Sequence, residues 1–242
     1  MTMLIYGKLA RDWYRLLDPL DDHEDEAAVY ERMLLESIVG PAKTLLELGA
    51  GAGNNAYYLK RRFACTLTDR SSDMLALSRQ VNPECRHVIG DMRELRLETE
   101  FDVVFVHDAV MYITTRRDLQ AVADTAFAHV RPGGVALFAP DCVTETFCER
   151  SDLHGDADGD RSLRCIEWSW DPDPRDETVT VDYVFALREG TQMTVHHDQH
   201  VEGLFARGVW LQVLEVAGFV PHVKEWREGD RTLDVFVAKR PG

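Results

Sequence analysis

The glycine-rich segment ELGAGAG at residues 47–53 constrains the fold of this 242-residue chain more than any other feature. It joins a short apolar run at residues 44–46 to a helix-like stretch at residues 54–62. A buried strand, a glycine turn and a helix in this order form a nucleotide site, because glycines let backbone groups approach a ligand and the helix N-terminus adds positive potential. Dinucleotide sites follow the spacing G-x-G-x-x-G, but Asn54 occupies the third glycine position here. The segment therefore predicts a nucleotide site and disfavours a nicotinamide-dependent oxidoreductase.

Strand-like and helix-like segments alternate over residues 41–140, which predicts a parallel sheet with right-handed crossovers. The second predicted strand, at residues 64–68, is followed directly by Asp69. Nucleotide-binding folds place an acidic residue at this spacing from the glycines, where its carboxylate accepts hydrogen bonds from both ribose hydroxyls. The third and fourth predicted strands, at residues 86–89 and 101–106, precede Gly90-Asp91-Met92 and His107 respectively.

The ELGAGAG segment, Asp69 and Gly90-Asp91-Met92 together resemble the motifs of the class I S-adenosylmethionine (SAM)-dependent methyltransferases. The resemblance implies an α/β, three-layer Rossmann-like fold with a mostly parallel seven-stranded sheet whose last strand is antiparallel. It also implies SAM as the cofactor and S-adenosylhomocysteine as the product.

The same resemblance implies roles for individual side chains around the cofactor. Arg70 and Met74 are expected to pack against the adenine, Asp91 to accept from its amino group, and the Met92 N–H to meet a ring nitrogen. His107 is expected to hold the methionine end. The complete expected set of cofactor-binding residues is Tyr14, Glu47, Gly49, Ala50, Gly51, Asp69, Arg70, Met74, Asp91, Met92 and His107.

Four regions follow from the patterning of the chain. Residues 1–40 are predicted to form an N-terminal helical lid, and residues 41–140 the SAM-binding core. Residues 141–203 are predicted to be an inserted antiparallel β-meander with strands at 163–170, 178–187 and 191–200, preceded by a polar loop at 149–162. Residues 204–242 complete the core with a helix and two strands.

This layout resembles the small-molecule branch of the family, and within it the N-methyltransferases of glycine and of amino sugars. The segments YGKLA at residues 6–10 and Trp13-Tyr14 resemble the lid of those enzymes, although Arg15 stands where they usually have Asp. The segment VEGLF at residues 201–205 resembles their return into the core. The resemblance implies that lid and insertion form the acceptor pocket, and the expected pocket residues are Tyr6, Tyr112, His196, Asp198 and His200.

The methyl donor decides which protein groups the reaction needs. A sulfonium methyl group is already activated, so the protein must bring a lone pair of the acceptor within reach and exclude water. An amine needs only deprotonation, whereas a hydroxyl benefits from a general base. His107 and His200 are the candidate catalytic residues. Strand alternation places His196, Asp198 and His200 on one face, and we interpret them as polar pocket residues and predict no metal site.

Composition narrows the partners and the location. A net charge of −15 argues against a nucleic-acid substrate, because phosphate binding needs clustered Lys and Arg. Five scattered cysteines without a C-x-x-C pair indicate reduced thiols, and neither a signal peptide nor an apolar run of membrane length is evident. We therefore expect a cytoplasmic protein that acts on a small-molecule acceptor, either alone or as a homodimer.

Three hypotheses for function remain open at this point. The first is methyl transfer to a small amine resembling an amino sugar or an amino acid. The second is O-methylation of a natural product with a histidine as the base. The third is a SAM-binding module without transfer activity.

Overall fold

A computed structural model gives the structure of the chain and describes residues 3–7, 9–229 and 231–242. Lys8, which belongs to the predicted lid motif, and residues 1 and 2 of the predicted lid lie outside the described residues. The N-terminal segment contains helix α1 (Ala10–Leu17), a 3-10 helix (Leu20–His23) and helix α2 (Glu24–Ser37). The two helices expected for this region are present, and the 3-10 helix lies in the acidic segment between them.

The first half of the core alternates strands and helices, as the sequence predicts. Its strands are buried on both faces, with Leu45, Leu46, Val103 and Val104 fully buried, as expected for parallel strands covered by helices. A 3-10 helix (Asp108–Tyr112) follows the fourth strand. The elements are β1 (Thr44–Leu48), α3 (Asn54–Leu59), β2 (Ala64–Asp69), α4 (Ser72–Val81), β3 (Arg86–Ile89), β4 (Phe101–Val106), α5 (Arg116–His129) and β5 (Val130–Phe138).

A second, antiparallel sheet is inserted after β5. It consists of β6 (Arg150–His154), β7 (Ala157–Asp158), β8 (Arg161–Trp170), β9 (Thr178–Glu189) and β10 (Gln192–Gly203). The order is β10-β9-β8-β6, with β7 also paired to β8. The three long strands form the predicted meander. The prediction of a loop at residues 149–162 is wrong, because β6 is a polar edge strand that backbone pairing with β8 holds in place without an apolar face.

The chain then returns to the core through α6 (Arg207–Ala217), β11 (Val220–Glu228) and β12 (Arg231–Lys239). The central sheet has seven strands in the order β11-β12-β5-β4-β1-β2-β3. Strands β1 to β5 pair in parallel, and β12 is antiparallel to both of its neighbours, β5 and β11. The predicted fold class, including the reversed last strand, is confirmed.

Helices cover both faces of the central sheet, which makes three layers. One apolar core combines the sheet with α5 and α6, and the other combines it with α2 and α3. A smaller apolar cluster joins Leu9 and Leu16 of the N-terminal segment to Cys165 and Phe185 of the inserted sheet. Because Ala10 also contacts Met74 of α4, helix α1 lies between the inserted sheet and the core.

None of the helices in the described part of the chain combines the length and the apolar character needed to cross a membrane.

Candidate active site

The glycine turn between β1 and α3 offers room for a ligand at Gly51. A Cβ atom built on Gly49 would lie 2.4 Å from the Ala109 Cβ, and one on Gly53 would lie 2.3 Å from the Ser78 Oγ. A Cβ atom on Gly51 would meet only the Met74 Cε, at 3.6 Å. The outer glycines are therefore required by protein packing, and Gly51 faces space that a ligand can occupy.

The backbone donors of this turn are used within the protein. The N–H groups of Gly49 and Ala50 donate to the Thr68 carbonyl at 2.9 and 2.8 Å. The Gly51 N–H donates to the Asp69 Oδ2 at 2.9 Å. Hydrogen bonds to the end of β2 therefore hold the turn in shape. Because its N–H groups are used in this way, the turn contributes to ligand binding mainly by leaving room for the ligand.

Asp69 ends β2 directly beside Gly51. Its second oxygen, Oδ1, accepts from the Ser71 N–H at 2.7 Å, so each carboxylate oxygen has one backbone partner and keeps a free lone pair. Burial raises the pKa of Asp69, and the bonds from Ser71 and Gly51 oppose this shift. The carboxylate is thus fixed in direction and able to accept from a pair of hydroxyls.

Residues predicted to contact adenine lie on both sides of this turn. Arg70 is exposed, whereas Met74 is buried beneath Gly51. Met92 approaches the turn from the other side, since its Cε lies 2.7 Å from the position of a Cβ atom on Gly49. Asp91 forms a two-bond pair with Arg93, at 3.0 Å to Nε and 2.7 Å to Nη2, which lowers the pKa of the carboxyl.

One carboxylate oxygen of Glu47 is buried in the site without a hydrogen-bond partner. The residue is 3% exposed in β1, and its Oε2 has no hydrogen-bond partner in the structure as described. Burial raises the pKa of Glu47 to about 8. The Oδ1 of Asn55, at the start of α3, is also buried without a partner. Because buried polar atoms are normally paired, these two oxygens indicate a place where a polar ligand completes the structure.

His107 lies between two carboxylates at the end of β4. Its Nε2 is 3.0 Å from the Asp108 Oδ1 and 3.4 Å from the Glu26 Oε2, and its ring stacks on Phe105. Burial alone would lower the pKa of His107, but Asp108 and Glu26 raise it well above its usual value. A protonated imidazole donates hydrogen bonds and has no lone pair for another proton, which favours the cofactor-holding interpretation of His107 over that of a base.

The lid is attached to the glycine turn through Arg15 and Asn54. The Arg15 Nη2 donates to the Ala52 carbonyl at 3.0 Å, and its Nη1 donates to the Asn54 Oδ1. The Asn54 Nδ2 in turn donates to the Asp18 Oδ2 at 2.7 Å, and the Tyr14 hydroxyl donates to the same oxygen at 2.7 Å. The two departures from the expected motifs, Arg15 in the lid and Asn54 in the turn, are therefore partners.

This contact between lid and turn predicts a measurable loss of stability. The substitution Arg15→Ala removes the charged hydrogen bonds to Ala52 and Asn54. We expect the free energy of unfolding, measured in urea, to fall by about 1.5 kcal/mol. This value lies at the lower end of the range for hydrogen bonds to charged groups, because the guanidinium is partly exposed. Arg11→Ala, at an exposed position of the same helix, is the control and is expected to leave stability unchanged. Equal stability of the two variants would contradict the attachment.

Four of the five predicted acceptor residues form one chain of hydrogen bonds. The Tyr112 hydroxyl lies 3.1 Å from the Tyr6 hydroxyl and 3.0 Å from the His200 Nδ1. The His200 Nε2 lies 3.3 Å from the Asp198 Oδ2. His196 shares their face of β10 but lies outside this chain of bonds. Burial lowers the pKa of His200, so the imidazole is neutral near pH 7.

The acceptor residues lie beside the cofactor residues. The Ser71 hydroxyl donates to the Tyr6 carbonyl at 2.8 Å, and the Ser71 N–H binds Asp69. Rings of Tyr14, Tyr112 and His200 surround the Tyr6 ring, with centroids 6.3, 5.8 and 6.0 Å away. The lid, the end of β4 and the inserted strand β10 thus meet above the glycine turn.

Several polar residues of the site were missed by the sequence analysis. Glu26 binds His107 from α2, and no local pattern identifies this contact, because the two residues are far apart in sequence. Glu202, two residues after His200, is 8% exposed on the same face of β10. Strand alternation was the signal that could have identified Glu202, because it groups Glu202 with Asp198 and His200.

Known proteins resemble this chain in sequence as well. A methyltransferase domain family matches residues 45–134. The dTDP-3-amino-3,4,6-trideoxy-alpha-D-glucopyranose N,N-dimethyltransferase of Streptomyces venezuelae is 32% identical over 167 residues, which cover 67% of this chain and 64% of that protein. The cypemycin N-terminal methyltransferase of a Streptomyces species is 26% identical over 206 residues, covering 72% of this chain and 78% of that protein.

Solved structures share the fold over nearly the whole chain. The sugar N-methyltransferase KedS8 from Streptoalloteichus aligns with a TM-score of 0.82 at 18% identity, covering 100% of this chain and 95% of its own. The SAM-bound amino pentose methyltransferase CalS10 from Micromonospora echinaspora aligns with a TM-score of 0.77 at 24% identity, covering 90% and 91%. The first of these alignments includes the inserted sheet, since it covers the whole chain. Together with the matched methyltransferase domain and the glycine turn beside Asp69, they show that the chain has the fold of the class I SAM-dependent methyltransferases.

Proposed function

We propose that the protein transfers a methyl group from SAM to a small amine, of the amino-sugar or amino-acid type. The observation that carries this proposal is the acidic surrounding of the acceptor cluster: Asp198 binds His200, and Glu202 is buried two residues further along the same face of β10. Burial raises the pKa of Tyr6 far above its usual value, and the negative charges of Glu202, Asp108 and Asp18 act in the same direction. A pocket with negative potential suits a positively charged amine better than a neutral hydroxyl compound. The N-methyltransferases among the relatives support the same acceptor class.

The residues of the site fit SAM by their chemistry. We assign Asp69 to the ribose hydroxyls and Gly51 to the space beside them. We assign Glu47, with its unpaired oxygen, and the protonated His107 to the charged methionine end. When bound, SAM supplies a methyl group already activated by its sulfonium.

The lid residues complete the site from above. Tyr6, Tyr14 and Tyr112 form an aromatic wall, and Arg15 fixes the lid to the glycine turn. Exclusion of water and placement of the acceptor nitrogen are the contributions that such a transfer requires from the protein. We propose that Tyr6 and Tyr112 orient the acceptor through their hydroxyl groups.

The location and partners belong to this proposal as well. We infer a cytoplasmic enzyme with a small-molecule acceptor, and no nucleic-acid partner because the net charge is −15. The proposed enzyme acts as a monomer or as a homodimer.

A panel of matched acceptors tests the proposal. Purified protein is incubated with SAM and with 3-amino-3,6-dideoxyglucose, free and dTDP-linked, glycine, and the hydroxyl analogue of each, and mass spectrometry counts the methyl groups gained. We expect methylation of amines with stoichiometric S-adenosylhomocysteine, and no methylation of the hydroxyl analogues. Methylation of hydroxyl compounds alone would contradict the amine proposal.

O-methylation is the second candidate, and the state of His200 is the observation that favours it. The neutral imidazole, oriented by Asp198 and bonded to Tyr112, is able to accept a proton through that hydroxyl. In that case His200→Gln is expected to lower turnover of a hydroxyl acceptor by about 100-fold or more without changing SAM affinity. For an amine acceptor we expect less than about a tenfold effect on turnover, because no proton passes through His200.

A further inference from the structure

Glu202 is a buried ionisable side chain that lacks a partner. It is 8% exposed, and none of the hydrogen bonds or ion pairs found among the described residues involves its carboxylate, whose oxygens keep a small contact with solvent. A buried carboxylate without a partner costs free energy. Such a cost at the edge of a candidate active site points to a ligand that completes the pairing.

The end of β10, where Glu202 lies, packs against the residues that follow β4. A Cβ atom on the next residue, Gly203, would lie only 2.1 Å from the Ile113 carbonyl oxygen, so the end of β10 touches this segment directly. The segment is the end of the 3-10 helix that carries Asp108 and Tyr112. Because neighbouring residues of a strand point to opposite faces, Glu202 points away from Ile113 and shares its face of β10 with His200, which is bonded to Tyr112.

A second contact brings the loop after β5 to the same place. The Thr144 N–H donates to the Phe205 carbonyl at 3.2 Å, and its hydroxyl donates to the Leu204 carbonyl at 3.3 Å. Asp141 lies in this loop, three residues before Thr144. The segments that follow β4 and β5 thus both contact the chain at the end of β10, and these segments carry Asp108 and Asp141.

The charges that face Glu202 come from several elements. Burial, then Glu167 on β8 and Asp108, raise the pKa of Glu202 to about 8, and Arg150 on β6 opposes them. Glu202 itself acts on Asp141, whose pKa burial and Asp108 also raise. Burial raises the pKa of Tyr6, Tyr112, Tyr183 and Cys142, and the negative charge of Glu202 contributes to each of these shifts. Carboxylates crowded in this way are stabilised by a proton or by a cation.

We propose that Glu202 is the general base of the reaction: it binds the acceptor as an ammonium ion, together with Asp108 and Asp141, and takes one proton from it. This inference rests on the amine acceptor proposed above. In the step, the carboxylate of Glu202 gains the proton and becomes a carboxylic acid, and the amine keeps the electron pair of the broken N–H bond. That pair forms the new N–C bond as the C–S bond of SAM breaks, and the bonding electrons of C–S remain on sulfur in S-adenosylhomocysteine. Glu202 returns its proton to water when the product leaves.

The other candidate bases already have partners. His107 is protonated between Asp108 and Glu26, and both ring nitrogens of His200 lie within hydrogen-bond distance of Tyr112 and Asp198. Glu202 has no such partner. Proton transfer is most efficient when the base titrates near the working pH, a condition that the surroundings of Glu202 meet.

The test is the isosteric substitution Glu202→Gln, assayed with dTDP-linked 3-amino-3,6-dideoxyglucose at saturating SAM. At neutral pH we expect kcat/KM to fall by about 100-fold, within the range of a lost general base. The Kd for SAM is expected to be unchanged. In the wild type, kcat/KM rises with pH toward a plateau as Glu202 ionises. In the variant the rate recovers only at a pH where the free amine is itself neutral, because that form needs no base.

Two further variants separate catalysis from folding. Glu202→Asp keeps a carboxylate and is expected to recover part of the activity, whereas Glu189→Gln, at the exposed end of β9, is expected to match the wild type. The melting temperature gives a readout without activity. The pKa of Glu202 is higher in the folded than in the unfolded state, so its stabilising contribution is complete below about pH 4 and is lost as pH rises through about 8. Glu202→Gln is therefore expected to melt above the wild type at about pH 9, with a smaller difference at about pH 5.

Each outcome has one meaning. If the wild type methylates the amine and Glu202→Gln shows the same rate and pH profile, the base assignment is overturned and the proposed function stands. If the wild type methylates only hydroxyl acceptors or none of the panel, the proposed function fails, and the assignment of Glu202 fails with it.

Discussion

Gly51→Val is expected to abolish SAM binding while the protein remains folded. A Cβ atom at this position meets only the Met74 Cε at 3.6 Å, so a larger side chain extends into the space beside Asp69 rather than into the protein core. Filling that space removes the room that the cofactor needs. We expect a loss of at least about 100-fold in Kd, equivalent to about 3 kcal/mol, by isothermal titration calorimetry with SAM.

The strain of a positive φ angle must be separated from the loss of ligand space. Gly51 has φ +54, a conformation that valine adopts only at a cost, so some stability is lost whatever the ligand does. Gly159→Val is the matched control, because Gly159 has φ +62 and no atoms within 4 Å of an added Cβ. The control is expected to lose similar stability and to keep full affinity. Normal SAM binding by Gly51→Val would show that the turn is not the cofactor site.

Asp69→Ala is the second large effect that we expect. The substitution removes the carboxylate assigned to the ribose hydroxyls, and a lost charged hydrogen bond costs about 1.5–3 kcal/mol of affinity, or about 10- to 150-fold in Kd. Titration with SAM and with S-adenosylhomocysteine should show the same loss, since both ligands carry the ribose.

Asp69 also supports the turn itself, which the controls must take into account. Its oxygens accept from the Gly51 and Ser71 N–H groups, so Asp69→Ala is expected to lower the melting temperature as well. Asp69→Asn keeps one acceptor oxygen and is expected to fall between the wild type and the alanine variant. Asp73→Ala, an exposed acid in the first turn of α4, should bind normally. Wild-type affinity of Asp69→Ala would refute the ribose assignment.

Local patterns were sufficient to predict the core of the fold. The glycine turn, the acid at the end of β2 and the alternation of strands and helices are set by residues close in sequence, and the sheet confirms them. The meander was visible for the same reason, because β8, β9 and β10 are runs of ten or twelve residues in which apolar and polar residues are mixed along the strand. β6 carries no such alternation, so its pairing with β8 could not be read from the chain alone.

The details of the site depend on contacts between residues distant in sequence. Arg15 and Asn54 each looked like a departure from a motif, and only the fold shows that they bind each other. The raised pKa of His107 depends on Asp108, its neighbour in sequence, and on Glu26, whose helix lies on the opposite side of the glycine turn in sequence. A sequence pattern names residue types near a site, but the pKa of a residue follows from neighbours that only the tertiary structure brings together.

The central claim is that the glycine turn binds SAM. Isothermal titration of the purified chain with SAM, with S-adenosylhomocysteine and with NADH tests it most directly. Micromolar binding of both sulfur ligands, with no heat from NADH, is the result that this structure predicts. Binding of NADH, or of none of the three ligands, would contradict the assignment of the turn, of Asp69 and of the acceptor pocket that depends on them.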